Sequence, residues 1–142
     1  MPTLYTAKAA TKGGRNGHSQ TSDGNLSVEL APPGGRTNKT GTVTNPEQLF
    51  AAGYSACFGS ALEHVARQHK VSAEGSVVTA EISLNSDDSG YFLSAVLDVS
   101  VPGLDAETVG KLVAEAHAMC PYSKATRGNI VVTLKVDGVP VE

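Results

Sequence analysis

The sequence predicts an α+β domain, because segments with strand periodicity occur beside two helical segments and turn-forming residues join the strands as hairpins. The chain has 142 residues, a formal net charge of -3 and two cysteines. A chain of this length buries roughly two-thirds of its unfolded surface around one core. We therefore expect a single domain over residues 1–142.

The first helix has the clearest start signal. Asn45 suits an N-cap, Pro46 suits the first helical position, and Gln48 completes a capping box. We expect the helix to run from Pro46 to about Gln68. Residues 49–62 are small or apolar on nearly every side, which is typical of a helix that is buried all round. About five short strands cannot cover such a helix, so we expect a dimer.

The other elements are predicted from alternation and capping. Alternating residues indicate strands at 26–30, 78–84, 91–101 and 130–136. Asp105 is expected to cap a second helix that reaches about Cys120. Pro121 should end this helix, and a loop should follow over 122–128.

Composition excludes several classes of protein. The charges are scattered, without the basic stripe that nucleic-acid binding needs. No uninterrupted apolar run approaches the roughly 20 residues that cross a bilayer. Two cysteines far apart in sequence disfavour a disulfide-dense secreted scaffold and a zinc ribbon. We expect a soluble, cytoplasmic protein.

The two cysteines occupy unlike positions. Cys57 lies in the apolar helix, where loss of water disfavours a thiolate unless a cation is supplied. Arg15 is the candidate cation, because the glycines of segment 12–17 let its loop bend inward. Two alternatives stay open: Cys57 is an inert buried thiol, and Arg15 sits in a solvated turn.

Cys120 is expected at the C-terminal end of the second helix, where the helix dipole favours a protonated thiol. Such a thiol is a poor first attacker but a suitable second one. A thiolate that attacks a peroxide becomes a sulfenic acid, and a neighbouring thiol condenses with that acid to a disulfide. The positions therefore favour Cys57 as attacker and Cys120 as resolving thiol.

A zinc site is the competing interpretation. Cys57, His64, His117 and Cys120 can be drawn as a Cys2His2 cluster. However, Cys57 and His64 are two helical turns apart, which is roughly 10 Å and too far for one ion at Zn distances of about 2.0 to 2.3 Å. We expect no metal, and a surface position for His64 near the helix end.

Three motifs contain the two cysteines and the arginine loop: TNPEQLFAAGYSACF at Thr44–Phe58, CPYSKATRGNI at Cys120–Ile130 and GGRNG at Gly13–Gly17. They resemble motifs of the organic hydroperoxide resistance (Ohr) proteins, within the Ohr/OsmC family. Together they cover essentially the whole chain in order. The sequence departs from the family pattern at Asn16, Lys124 and Val131.

The resemblance implies an OsmC-like fold, with antiparallel sheets wrapped around two central helices in an intertwined homodimer. It implies reduction of organic hydroperoxides, including those of fatty acids, to alcohols. Cys57 is then the peroxidatic thiolate, Arg15 stabilises it, Glu47 holds the arginine, and Cys120 resolves the sulfenic acid as an intramolecular disulfide. Dihydrolipoyl groups on lipoylated enzymes are the implied reductant, and no bound cofactor is expected.

Apolar residues near the cysteines predict a substrate pocket that accepts alkyl chains. The candidates are Phe50, Phe58, Met119 and Tyr122. The alternative is that these side chains are ordinary core.

Helix geometry constrains Glu47. It precedes Cys57 by ten residues, which is roughly 15 Å of helical rise, so one arginine could hardly contact both. Either the helix begins after Glu47, or Glu47 comes from the partner subunit. We favour the partner subunit.

Two other functions remain open. Another branch of the family, resembling osmotically inducible protein C, would have a broader preference or one that leans toward hydrogen peroxide. A redox-sensing module would change a partner contact on oxidation.

Overall fold

A computed structural model of the protein describes residues 2–34, 39 and 41–141. The chain divides into two compact units, Met1–Leu49 and Phe50–Glu142. The expectation of one domain over residues 1–142 stays a prediction. No helix in the described ranges is long and apolar enough to cross a membrane.

The first unit contains a four-stranded sheet. Its strands, in sheet order, are β1 (Ala9–Lys12), β2 (His18–Thr21), β3 (Ser27–Leu30) and β4 (Val43–Thr44). Strand β2 pairs antiparallel with β1 and β3, whereas β4 runs parallel to β3. Strand β3 confirms the strand that was predicted at 26–30.

Helix α1 (Pro46–Gln68) confirms the predicted first helix. The Asn45 Oδ1 atom accepts a hydrogen bond from the Gln48 backbone N–H at 2.9 Å. This contact satisfies a backbone donor that a helix start otherwise leaves without an intrahelical partner. The side chains of Thr44 and Gln48 are also hydrogen-bonded, at 2.7 Å. Local capping therefore fixes where α1 begins.

Only one face of α1 is buried within the chain. The buried residues recur at helical spacing: Tyr54, Phe58, Ala61, Leu62, Val65 and Ala66. The opposite face is exposed and made of small residues, including Ala52, Ala56 and Ser60. The chain by itself leaves this small-residue face uncovered. The prediction of a helix buried all round included cover from a partner subunit, and it stays a prediction.

The second unit contains the other four-stranded sheet. Its strands, in sheet order, are β5 (Val77–Asp87), β6 (Gly90–Ser100), β7 (Val131–Val136) and β8 (Val139–Pro140). Strands β5 and β6 form the predicted hairpin, and β8 pairs antiparallel with β7. Strand β7 runs parallel to β6. Parallel neighbours need a crossover connection, which the helices between β6 and β7 supply.

The α+β class is confirmed, with a correction to the sheets. Antiparallel pairing was expected throughout, but β3–β4 and β6–β7 are parallel pairs. The alternation of side chains predicts strands without their direction, because the period is the same in both kinds of sheet.

Helix α2 (Ala106–Met119) begins as predicted, with Asp105 Oδ1 accepting from the Thr108 N–H at 2.7 Å. Its buried stripe is Val109, Leu112, Val113 and Ala116. This stripe joins the core of the second unit, with α1 and the sheet residues Leu97 and Val99.

The loop predicted after Pro121 is wrong, because Pro121–Thr126 forms a short helix, α3. Cys120 is extended, with φ -60° and ψ 124°, so α2 ends there. A residue before proline disfavours helical angles, whereas proline itself is well suited to the first position of a helix. Pro121 therefore ends one helix and starts another, and this junction positions Cys120.

Candidate active site

The second unit brings the two cysteines together. Cys57 lies on α1 and Cys120 between α2 and α3, and their Sγ atoms are 3.5 Å apart. Both are free thiols. A disulfide bond needs an S–S distance of about 2.05 Å, so a modest movement would join them. Cys57 is partly exposed, whereas Cys120 is completely buried. Access from solvent therefore favours Cys57 as the first thiol to meet a substrate.

The surroundings of Cys57 work against its ionisation. Burial raises the pKa of the Cys57 thiol most strongly, and the neighbouring Cys120 raises it further. A hydrogen bond from the Tyr122 backbone N–H lowers this pKa in part. This N–H lies in the first turn of α3. The contact was not predicted, because a loop was expected at this position. Within the second unit, the thiolate therefore still needs a positive charge.

A cavity of about 480 Å³ opens beside Cys57. Its lining residues are Cys57, Ser60, Ala61, His64, Met119 and Pro121. Met119 was predicted for such a pocket, whereas Ser60 and His64 were not. Their spacing from Cys57, three and seven residues along α1, is the signal that would have placed them on its face.

The predicted aromatic residues occupy different positions. Phe50 and Tyr122 form a ring cluster with Tyr54, with centroids 5.8 to 6.1 Å apart. Tyr122 packs so closely that a Cβ atom on Gly53 would lie 2.9 Å from its hydroxyl oxygen. Phe58 is fully buried in the core. The alternative of ordinary core therefore describes Phe58, which is absent from the residues lining the cavity beside Cys57.

A buried polar network borders the thiol pair. The Tyr54 hydroxyl is 2.8 Å from Ser123 Oγ and 3.2 Å from Thr126 Oγ1. Ser123 Oγ is also 2.8 Å from His117 Nδ1. Burial, and then the charge of Arg127, lower the pKa of His117 and favour its neutral ring. Sequence reasoning missed this network, since its members come from three separate helices.

The predicted arginine loop lies in the first unit. A 3₁₀ turn over Gly14–Asn16 carries Arg15 between β1 and β2. Gly13 has a φ of 88°, a conformation that glycine adopts without strain. A Cβ atom on Gly17 would lie 1.6 Å from the Lys12 carbonyl oxygen. These glycines therefore fix the backbone that presents Arg15.

Arg15 and Glu47 form a two-pronged ion pair. Nη1 and Nη2 of Arg15 lie 2.9 and 2.7 Å from the two carboxylate oxygens of Glu47. The hydrogen bonds from Arg15 lower the pKa of Glu47, and Glu47 raises the pKa of Arg15. Glu47 lies in the first turn of α1 and binds the arginine of its own chain. A helix that begins after Glu47 is therefore wrong, because α1 begins at Pro46, and the expectation that the partner subunit supplies Glu47 stays a prediction.

Lys39 supports the arginine loop from the side. Its Nζ donates to the backbone carbonyls of Asn16, Gly17 and Leu30, and it pairs with Glu29 at 3.3 Å. The sequence offered no signal for these contacts, because Lys39 is more than twenty residues from the loop. The competing interpretation of the histidines and cysteines was a zinc site. Across the described ranges, no group of three or more His, Cys, Asp or Glu side chains is arranged to hold a metal ion.

Comparison with known proteins places the chain among its relatives. The sequence profile of the OsmC-like protein family matches residues 39–135. The chain is 51% identical over 136 residues to the organic hydroperoxide resistance protein OhrA of Bacillus subtilis, covering 94% of this chain and 96% of the relative. The chain belongs to the Ohr/OsmC family. Its resemblance to Ohr/OsmC motifs is thereby confirmed.

Other Ohr/OsmC members agree in sequence and fold. The organic hydroperoxide resistance protein of Xanthomonas axonopodis pv. citri is 45% identical over 132 residues, covering 92% of this chain and 93% of the relative. The crystal structure of OhrB from Bacillus subtilis superposes with a TM-score of 0.88 at 46% identity. That match covers 94% of this chain and 99% of the OhrB chain. The OsmC-like fold is therefore confirmed.

Proposed function

We propose that this protein is a thiol-dependent peroxidase that reduces organic hydroperoxides, including those of fatty acids, to alcohols. The observation that carries the proposal is the 3.5 Å contact between Cys57 and Cys120 beside a cavity into which Cys57 opens. Two thiols at this distance can give up two electrons to a peroxide and form a disulfide. The names of the relatives, organic hydroperoxide resistance proteins, support the same activity.

The proposed reaction proceeds in three steps. The Cys57 thiolate attacks one peroxide oxygen, the O–O bond breaks, and the leaving alkoxide takes up a proton to become the alcohol. The Cys120 sulfur then attacks the Cys57 sulfenic acid, forming the S–S bond and releasing water. A dihydrolipoyl group on a lipoylated enzyme restores both thiols by thiol–disulfide exchange. No cofactor or metal is bound in this scheme.

Arg15 is the proposed source of the charge that the thiolate needs. Burial raises the pKa of Cys57, so a nearby guanidinium would lower the pKa toward the working pH. Arginine suits this role because it keeps its charge at any such pH. Glu47 holds the guanidinium through two hydrogen bonds, which fixes its orientation. The proposed role of Glu47 is therefore to position Arg15.

The substrate preference follows from the cavity. Ala61, Met119 and Pro121 give it an apolar wall next to Cys57. An alkyl chain would be removed from water there, whereas hydrogen peroxide has no apolar part to bury. The cavity therefore supports the choice of organic hydroperoxides over hydrogen peroxide.

We also propose the intertwined homodimer that the family resemblance implies. Several large apolar side chains are exposed in the chain alone: Leu4, Tyr5, Leu84, Tyr91 and Phe92. The small-residue face of α1 is exposed as well. Exposed apolar surface of this kind is typical of an interface. Light scattering should give twice the chain mass of 14.6 kDa, whereas a monomer at all concentrations would contradict the dimer.

Steady-state turnover tests the proposed activity. With dihydrolipoamide as reductant, the protein should reduce cumene hydroperoxide over many cycles and should use hydrogen peroxide less efficiently. Cys57→Ser should abolish turnover, because it removes the attacking sulfur, and Cys120→Ser should allow one oxidation without the disulfide. Absence of turnover with any dithiol would contradict the peroxidase, and equal use of hydrogen peroxide would contradict the substrate preference.

A further inference from the structure

We propose that Tyr54, acting through Ser123, is a positioning residue for the step that closes the Cys57–Cys120 disulfide. This inference rests on the proposed function for its physiological setting. The pairing of the two cysteines belongs to that function, whereas the role of the buried hydroxyl groups is additional.

Two contacts join α1 to the segment that contains Cys120 and Ser123, one between sulfur atoms and one between hydroxyl groups. Tyr54 precedes Cys57 by three residues on α1, and Ser123 follows Cys120 by three residues at the start of α3. The sulfurs are 3.5 Å apart, and the hydroxyl oxygens of Tyr54 and Ser123 are 2.8 Å apart. Each sulfur is therefore about one helical turn from a hydrogen bond that joins its segment to the other.

Burial makes the connection specific. Tyr54 and Ser123 are fully buried, and Thr126 is 2% exposed. A buried hydroxyl that loses its partner pays the full cost of leaving water, so the two segments are held in the register that satisfies these groups. Few alternative positions of α3 against α1 would do so.

The network also has a consistent donor order. Thr126 donates to the Ser123 backbone carbonyl, Tyr54 donates to the Ser123 and Thr126 oxygen atoms within its reach, and Ser123 can donate to Nδ1 of a His117 ring whose proton is on Nε2. The Tyr54 hydroxyl is thus the donor that faces both of these oxygen atoms. Phenylalanine would fill the space of the ring but would leave Ser123 and Thr126 without this partner.

The closing reaction shows why such positioning matters. The Cys120 sulfur attacks the sulfur of the Cys57 sulfenic acid, the S–O bond breaks, the S–S bond forms, and the departing hydroxide leaves as water. The sulfurs must approach from 3.5 Å to about 2.0 Å during this step. Further peroxide can meanwhile oxidise the sulfenic acid irreversibly. A register that keeps Cys120 next to Cys57 speeds closure by proximity and protects Cys57.

Tyr54→Phe tests the proposal, with Ser55→Ala as matched control. Ser55 lies on the same helix, and among the described residues its hydroxyl bonds only to the Ala52 carbonyl one turn earlier. The protein receives one equivalent of cumene hydroperoxide, and samples are quenched over time with dimedone, which traps sulfenic acid, and read by intact mass. Loss of one buried hydrogen bond should slow closure about tenfold in Tyr54→Phe, while the first oxidation stays within about twofold. Ser55→Ala should behave as the unaltered chain.

A second readout separates positioning from general stability. The equilibrium between dithiol and disulfide is measured against dithiothreitol, without any hydroperoxide. Tyr54→Phe should disfavour the disulfide by about fivefold, because the two sulfurs meet less often. Ser123→Ala removes the same hydrogen bond by changing its other partner. The shift of the equilibrium in the Tyr54→Phe, Ser123→Ala double variant should therefore be smaller than the sum of the two single shifts.

The outcomes separate the two proposals. If closure and the dithiothreitol equilibrium are unchanged in Tyr54→Phe and Ser123→Ala while the melting temperature falls, the network is only structural and the inference is wrong. If the unaltered chain is not oxidised by hydroperoxide but both variants shift the equilibrium, the positioning role stands and the proposed peroxidase fails.

Discussion

The two units hold different chemical groups in different surroundings. The second unit brings two thiols into contact in a largely apolar surrounding, with Cys120 completely buried. The first unit holds a charged pair at the surface, in which the Arg15 side chain is 46% exposed and that of Glu47 is 14% exposed. The thiol pair depends on packing between helices, whereas the Arg15–Glu47 pair depends on turn geometry and hydrogen bonds.

This difference shows why neither unit explains reactivity by itself. Packing brings the sulfurs together, but the same packing raises the pKa of Cys57. The arginine loop supplies a permanent positive charge but no nucleophile. Under the proposed mechanism the reactive thiol uses both kinds of structure, so substitutions in each unit should have separable effects.

The largest effect is expected from removing the charge. Arg15→Met should lower the rate of Cys57 oxidation at pH 7 by about 10- to 100-fold, because an opposite charge commonly shifts a pKa by one to two units or more. The midpoint of the pH–rate profile should move to higher pH. The oxidation rates of the two proteins should converge at a pH where Cys57 is ionised in both. Arg67→Met, at the other end of α1, is the control. An unchanged profile would show that Arg15 does not act on Cys57.

Part of the fold could be predicted from the sequence, and the rest depends on contacts that short-range patterns do not show. The bounds of α1 and the cap of α2 were predictable, because capping and periodicity act within a few residues of sequence. Strands β1, β2, β4 and β8 were missed. Strands β4 and β8 are two residues long, too short to show alternation, and β1 and β2 lie in a segment rich in Gly, Thr, Asn and Ser. Helix α3 was missed because proline was interpreted only as a stop signal.

The candidate site likewise contains residues that motifs predict and contacts that motifs do not predict. Arg15, Glu47, Cys57 and Cys120 were singled out from motifs and family resemblance. The Tyr122 N–H and the Tyr54–Ser123 contact were not, because each joins residues more than sixty positions apart. Sequence patterns indicate which residue types carry chemistry, whereas contacts between separate helices need the fold.

A smaller effect is expected from disturbing the loop that presents the charge. Gly17→Ala should lower peroxidase activity about tenfold, since its Cβ would lie 1.6 Å from the Lys12 carbonyl and displace the turn carrying Arg15. Gly24→Ala is the control, because it places a side chain at a φ of 77°, which is strained in itself, while among the described residues no atom lies within 4 Å of the added Cβ. Equal losses of activity in the two variants would indicate general strain instead of a displaced arginine.

Glu47→Gln should produce a loss of only a few-fold in activity, together with a signature in stability. The folded-state pKa of Glu47 is depressed by Arg15. Its contribution to stability is therefore fully present above the unfolded pKa of about 4.3 and is lost as pH falls through the folded pKa. The difference in melting temperature between the two proteins should be largest near pH 7 and vanish in acid. A difference that is constant with pH would contradict the ion pair.

The smallest effect is expected on α1. Gly59→Ala should stabilise the protein by about 0.5 to 1 kcal/mol against urea, because alanine is the better helix former. The added Cβ would meet only a Val78 methyl group, at 3.9 Å. Lower stability would overturn this expectation and indicate that a second surface lies against this face of the helix.

The central claim is that Cys57 and Cys120 act as one redox pair, and mass spectrometry after a single equivalent of organic hydroperoxide tests it most directly. We expect an intact mass lower by two hydrogens, with peptide mapping that places the new bond between Cys57 and Cys120. An oxidised Cys57 beside a free Cys120 thiol would contradict it.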